Sequence, residues 1–260
     1  MIAVVGAAGT IGRNVARFLD GWGAPLVRRD ARLEGEEQVD PSDSAAVAAA
    51  LDGSAVCVNC ADYRLNASVM RGALDAGAHY VDLGGLYHVT KLQLEFDSEF
   101  RERGLGALLG MGSAPGKANL MASAAVARLE EDPRSLEIWA ATRDPAAEGH
   151  PFPAPYSVRT LLDELSMAPV VVEDGQALEV EPLSGEATRV LPDARRGDRI
   201  WPYNLVAPSD QSGRVLRPRS VLSTQQRDPE RDPGTFEDEE VDVVDRIDVQ
   251  GDRDEDARCS

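Results

Sequence analysis

Cysteine is scarce in this chain, and that excludes the small disulfide-stapled scaffolds. Cys57, Cys60 and Cys259, the only 3 present, cannot supply a disulfide framework. A chain of 260 residues has room instead for a real apolar core in one large or two modest domains. Long hydrophobic runs are missing too, since none approaches the roughly 20 residues of a membrane span. No leader-type segment precedes the first apolar run, so a cytoplasmic, reducing location is expected. Basic charge is short: 27 Lys and Arg stand against 45 Asp and Glu, a formal net charge of -18. That balance repels phosphate backbones and anionic lipid, so neither nucleic acid nor membrane is expected as a partner. Histidine is rarer still. His79, His88 and His150 show no ligand spacing, and no metal site is expected.

What the chain does have is glycine in a telling place. Met1-Ile-Ala-Val-Val-Gly-Ala-Ala-Gly-Thr-Ile-Gly12 runs from a β-branched strand through Gly6, Gly9 and Gly12 into an amphipathic segment. Gly6 suits the tight turn, Gly9 leaves room for phosphates, and Gly12 lets the helix pack on its strand. The first helical residues, Thr10 and Ile11, then present N–H groups to a pyrophosphate. A helix from Thr10 is expected to place Ile11, Val15, Phe18 and Leu19 on one face. The competing reading, a glycine-rich turn with no ligand, is weakened by the strand before and the helix after.

Strand and helix signals then alternate. Strands are expected over Pro25 to Arg28, near Val39, over Ser54 to Asn59, over His79 to Leu83 and over Gly106 to Leu109. Between them, helices are expected over Ser42 to Leu51 with Asp40 or Ser42 as cap, over Asn66 to Ala76 and over Val89 to Arg103. The fold class is therefore α/β, a Rossmann-type doubly wound parallel sheet, spanning residues 1–112. Right-handed crossovers bring the carboxyl ends of all these strands to one edge, where ligands bind. At the end of the second strand, Val27-Arg28-Arg29-Asp30 sets cofactor preference. Arg28 and Arg29 suit the extra phosphate of NADP, whereas Asp30 leaves NAD open. NADP is the preferred expectation, and an ordinary exposed basic pair is the alternative.

These residues carry a resemblance. From Met1 to about Leu183 the chain resembles the saccharopine dehydrogenase-like family, within it the lysine 6-dehydrogenase and saccharopine reductase branch. The matching blocks are Val4 to Gly12, Cys57-Val-Asn-Cys-Ala-Asp-Tyr63, Gly77-Ala-His-Tyr-Val-Asp-Leu-Gly-Gly85, and Gly110-Met-Gly-Ser-Ala-Pro-Gly116 with Asn119. The last two are more specific than the glycine turn. The resemblance implies an NAD(P)-dependent enzyme that makes or breaks a C–N bond at an amino-acid carbon by hydride transfer through an imine. It also implies a second α/β domain that carries substrate contacts and forms a homodimer; Tyr156 to Gly175 is similar to a helix and strand there.

The chemistry can be argued beside the resemblance. Hydride transfer needs no protein nucleophile, so the protein must position the ring and move one proton. Asp82, ending a strand at the ligand edge, is a candidate to orient a substrate amine or shuttle its proton; a carboxylate satisfied by backbone N–H groups is the equal alternative. His88 is the candidate acid or base beside it, or simply a helix start. Asn59, Cys60 and Ala61 leave their strand where the dinucleotide ribose passes. Gly84 lies among the residues at this edge. Gly116 and Lys117 open a helix toward Leu129, and Lys117, Asn119 and Arg143 are candidates to hold a substrate carboxylate. Lys117 reads equally as a solvated first-turn residue.

Two motifs are weaker than they look. Cys57 and Cys60 are three apart on a strand, so they point to opposite faces and suit neither a redox pair nor a metal clamp. Tyr87-His-Val-Thr-Lys91 has the Tyr-x-x-x-Lys spacing of short-chain dehydrogenases, but the expected upstream serine is missing. Residues 113–206 read as a partial substrate and dimerisation domain: a strand over Leu136 to Thr142, a Pro-rich loop from His150, then a hairpin of Val170 to Glu173 with Ala177 to Glu181. From Ala207 to Ser260 the chain turns acidic and polar, with Phe236 its one aromatic residue, and disorder is expected. Either this is an acidic interaction tail, or the reading frame has shifted near residues 186 to 206. A non-enzymatic NADP-binding sensor is the contrasting functional class.

Overall fold

β1 (Ile2–Val5) is the hub of the N-terminal sheet, and its sequence explains why. Ala3, Val4 and Val5 are at most 1% exposed, as expected of a parallel strand covered on both faces. It pairs in parallel with β2 (Leu26–Arg29) on one side and β3 (Val56–Asn59) on the other. β4 (His79–Asp82) and β5 (Ala107–Leu108) extend the sheet in parallel to the order β2-β1-β3-β4-β5. In this computed structural model the described residues are 1–129, 135–142, 157–173, 176–184, 199–203, 217–224 and 243–250. They fall in two units, Met1–Lys117 and Ala118–Ser260.

Helices connect the parallel strands of the first unit: α1 (Thr10–Gly21), α2 (Ser44–Ala50), α3 (Asn66–Asp75), α4 (Tyr87–Leu94) and α5 (Asp97–Glu102). The core gathers Val47 and Leu51 after β2, Val69, Met70 and Leu74 of α3, and Tyr80 of β4. Gly72 brings α3 onto α2. A Cβ built there would lie 2.6 Å from Val47 Cγ1 and 2.8 Å from the Ser44 carbonyl oxygen.

Several elements depart from expectation, each for a physical reason. The strand expected near Val39 is a 3-10 turn over Gly35–Glu37 with one isolated parallel bridge, Asp30 to Gln38. Its sequence, Glu34 to Gln38, is too polar to fill a buried strand, and only Val39 goes inside, 7% exposed. The cap of α2 is Asp43, whose Oδ1 accepts the N–H groups of Ala45 and Ala46, while Asp40 holds the preceding turn through Ser42. The helix expected over Val89 to Arg103 breaks into α4 and α5 around Phe96, which caps α5. α1 buries Gly12 and Ala16 rather than the expected apolar stripe. Ile11 and Phe18 are 50% and 64% exposed, because the small residues alone permit close helix-to-strand approach.

The second unit begins with α6 (Ala118–Val126), so Gly116 and Lys117 precede the helix that they were expected to open. β6 (Ser135–Thr142) follows, then α7 (Val158–Ser166), capped by Ser157, and the antiparallel pair β7 (Val170–Glu173) and β8 (Gln176–Glu179). β9 (Arg199–Tyr203), β10 (Arg217–Thr224) and β11 (Val243–Gln250) join β6 in a four-stranded sheet of order β11-β6-β10-β9. β10 runs parallel to β6, and β11 antiparallel to it. Two strands therefore lie inside the segment 207–260 whose composition argues for disorder. In sequence, Ile247 and Val249 alternate with the polar Arg246, Asp248 and Gln250, a period-two pattern that supports β11; apart from β10 and β11, the residues of that segment lie outside the described ones.

Gly72→Ala should lower stability by about 1–3 kcal/mol through overpacking against Val47, despite the roughly 1 kcal/mol that alanine gains in a helix. A lower urea midpoint at unchanged slope is the expected result. An unchanged midpoint would mean that α2 and α3 separate at no cost.

Candidate functional site

The turn after β1 is built by backbone meeting backbone. Gly6, at φ +80, donates its N–H to the Arg29 carbonyl at 2.8 Å, and Gly9 donates back to the Gly6 carbonyl at 3.0 Å. A Cβ on Gly6 would sit 2.5 Å from the Ala61 nitrogen, and one on Gly12 would sit 2.1 Å from the Gly6 oxygen. Neither position tolerates a side chain. α1 starts at Gly9 with no side-chain cap and no acidic residue in its first turn. An anion is therefore the natural complement of this helix end. Thr10 and Ile11 are exposed at its opening.

The cations are not where the sequence pattern suggested. Arg28 pairs with Asp20 near the far end of α1. Arg29 donates to the Ala50 carbonyl at 2.9 Å and the Arg28 carbonyl at 3.0 Å. Both guanidinium groups are thus drawn away from the glycine turn. Arg32 lies there instead, its Nη2 3.4 Å from a Cβ built on Gly9. It makes a two-pronged contact with Asp30, Nε to Oδ1 and Nη2 to Oδ2, each 2.9 Å. The same carboxylate accepts the Arg32 N–H at 2.9 Å and the Ala8 N–H of the glycine turn at 3.0 Å. Hydrogen bonds from the Arg32 side chain, opposed by burial and aided by the backbone N–H groups, hold the Asp30 carboxyl below the usual carboxylate range. Arg32 was missed because it lies beyond the strand, two residues after the acid; an Asp-x-Arg step was the available signal.

The ends of β3, β4 and β5 form a second layer. Asn59, 1% exposed, donates to Asn66 Oδ1 at 2.9 Å and the Tyr80 hydroxyl at 3.0 Å, and accepts the Ala61 N–H at 3.0 Å. It shapes the Cys60–Ala61 turn from below. Burial pushes both the Cys57 and Cys60 thiols up to about 12, so they stay neutral and unreactive. Asp82, also 1% exposed, accepts N–H groups from Gly84 at 2.9 Å and Gly110 at 2.7 Å on Oδ1. Its Oδ2 accepts from Gln93 Nε2 at 2.6 Å. Asp82 therefore ties together the loops after β4 and β5. Gly84 packs against Gly110 and Pro115, where its own Cβ would fall 3.0 and 2.9 Å away.

His88 lies half-buried in the first turn of α4, edge-on to Tyr87 at 5.8 Å. Lys91 is exposed on the same helix. Lys117 is exposed at the end of the first unit. Asn119 belongs to α6 of the second unit, and its Oδ1 is buried with no hydrogen-bond partner. Arg143 lies outside the described residues. Among the described residues, no group of three or more His, Cys, Asp or Glu could hold a metal ion. No helix among them is long and apolar enough to cross a membrane.

Residues 32–108 match the family model described as the saccharopine dehydrogenase NADP binding domain. Apo saccharopine dehydrogenase (L-Glu forming) from Saccharomyces cerevisiae is similar in fold, with a TM-score of 0.52 at 14% identity over 86% of this chain and 55% of that one. The chain thus spans about half of that enzyme's length. A short-chain dehydrogenase/reductase superfamily protein from Agrobacterium tumefaciens with bound NAD matches at 20% identity over 33% of this chain and 32% of that one, TM-score 0.29. An NADPH-dependent quinone oxidoreductase from Escherichia coli complexed with NADPH matches at 19% identity over 49% and 54%, TM-score 0.29. The first unit is a Rossmann-type α/β fold with a parallel five-stranded sheet. Residues 32–108 are thus similar to the saccharopine dehydrogenase NADP binding domain, and the yeast enzyme shares the fold.

Asp30 makes stability depend on pH in a stated direction. Its folded pKa is depressed, so its contribution is complete above the unfolded carboxylate range and is lost as pH falls through that range toward the folded value. Thermal unfolding of the Asp30→Asn variant should show a shallower loss of stability on acidification than the parent chain. Parallel acid limbs would mean that Asp30 gains nothing from its four donors.

Proposed function

We propose that the chain is an NADP-preferring oxidoreductase that acts on the CH–NH bond of a lysine- or saccharopine-like amino acid. One observation supports the reading above the others: a glycine turn feeds an uncapped helix end beside Arg32, in a unit whose residues 32–108 match an NADP binding domain. The cofactor, when bound, takes or supplies the hydride. The chain's own work is to bind it, to orient the amine and to take one proton as the C–N bond becomes an imine, which water then hydrolyses.

In this reading Gly6, Gly9, Thr10, Ile11 and Gly12 cradle the pyrophosphate, and Cys60 with Ala61 line the ribose. Arg28 and Arg29, already engaged elsewhere, leave the phosphate to Arg32. Asp82 is a positioning residue, because its carboxylate is buried and accepts three hydrogen bonds. His88 is the titratable group for the proton, with Gly84 and Lys117 of the same unit as substrate contacts. A homodimer in the cytoplasm completes the proposal. A second reading, a nicotinamide-binding sensor without turnover, is supported by Asp82, whose buried carboxylate is engaged by the Gly84, Gly110 and Gln93 donors.

The assay is substrate-dependent NADPH formation with lysine, saccharopine and related amines. The enzyme reading expects turnover, and His88→Gln should reduce kcat about 100-fold or more, within the usual worth of a general acid or base, with NADP affinity kept. Tight NADP binding without turnover on any amine would leave the sensor.

A further inference from the structure

α4 turns polar residues inward and leucines outward. Its buried residues are Thr90 and Gln93, at 6% and 1% exposure, while Leu92 and Leu94 stand 52% and 57% exposed. A surface helix is ordinarily held by an apolar stripe turned to the core. Here the inward positions carry a hydroxyl and an amide, so buried apolar area alone does not fix how the helix lies. A directional contact has to do so.

We propose that Gln93 is a positioning residue for His88: it ties α4, which carries both residues, to the Asp82 carboxylate that holds the loops after β4 and β5. This rests on the reading of His88 as the group that takes the proton.

The contacts of the amide carry the inference. Gln93 Nε2 donates to Asp82 Oδ2 at 2.6 Å and to Met70 Sδ of α3 at 3.7 Å, which uses both of its N–H donors. Gln93 Oε1, in contrast, is buried with no hydrogen-bond partner. Methionine or leucine would fill the same space without desolvating an acceptor, so packing does not account for an amide here. The gain lies at the nitrogen, in a hydrogen bond to a buried carboxylate, which belongs to the stronger kind. Asp82 is fixed from its other oxygen, where Oδ1 accepts the N–H groups of Gly84 and Gly110. Contact therefore runs from the loops after β4 and β5, through one carboxylate, into the helix whose first turn bears His88. Misplacing a reacting group by about 1 Å can cost on the order of 100-fold in rate.

The test uses the full chain and three readouts: amine-dependent NADPH formation across pH, NADP affinity by titration, and the His88 imidazole resonances in heteronuclear NMR, assigned with the His88→Gln variant. Gln93→Met keeps the bulk and removes the donor. It should lower kcat about 10- to 100-fold, leave NADP affinity unchanged and shift the His88 resonances. Gln93→Glu supplies a rescue with a sign. While protonated, the new carboxyl donates to Asp82 as the amide did; once ionised, the two carboxylates repel. Its rate relative to the parent should therefore be near one at the acid end and fall as pH rises. Circular dichroism gives the folded fraction to which each rate is referred, and should Gln93→Met fail to fold, the pH profile of Gln93→Glu decides. The proposal is overturned if folded Gln93→Met keeps the parent kcat or leaves the His88 resonances in place, or if Gln93→Glu keeps the parent pH profile. Parent protein that turns over no amine overturns the reading of His88 as a proton acceptor; shifted resonances in Gln93→Met then still support the tie to Asp82, and unshifted ones overturn it.

Discussion

The close approach of three backbone segments at the end of β1 governs the rest of the first unit. Gly6 touches the turn after β3, and Gly12 touches Gly6, with no room for a single added carbon at either contact. Overpacking a well-packed site costs about 1–3 kcal/mol in an ordinary core, and here the obstruction is rigid backbone. The cradle and the sheet are therefore one construction. The residues that shape the anion-binding helix end also set how α1 lies on β1.

Asp82 and Asn59 perform the corresponding task farther along the strand ends. Each is a polar side chain inside an apolar layer, and each is satisfied by neighbouring donors or acceptors. Such groups are costly to bury and therefore commit the loops around them to one arrangement. This explains why β3 and β4 end in Asn59 and Asp82, where Cys57 and Val58, and Tyr80 and Val81, fill the positions before them.

Much of this was legible in the sequence, and the failures are specific. The β1 turn, the parallel order and the hairpin of β7 and β8 follow from β-branched runs, glycine spacing and alternation. The α1 face did not, because Ile11 and Phe18 satisfied the periodicity while Gly12 and Ala16 gained the contact by being small. Arg28 and Arg29 stood at the right strand end, yet a strand sends neighbouring side chains to opposite faces, where Asp20 and the Ala50 carbonyl held them. Arg32 lay past the strand, where periodicity says nothing. For Asp82 the sequence supports chemistry and structure equally, and its donors, Gly84, Gly110 and Gln93, come from residues that no local pattern links.

The shared anchor at Asp82 has a dynamic consequence. The loops after β4 and β5 do not fluctuate as independent parts, because freeing the Gly84 and Gly110 amides both require that the same oxygen atom let go. Local opening events in proteins tend to involve contiguous cooperative groups of residues. Here two segments distant in sequence become one such group through a single buried carboxylate, so the floor of this edge breathes as a unit.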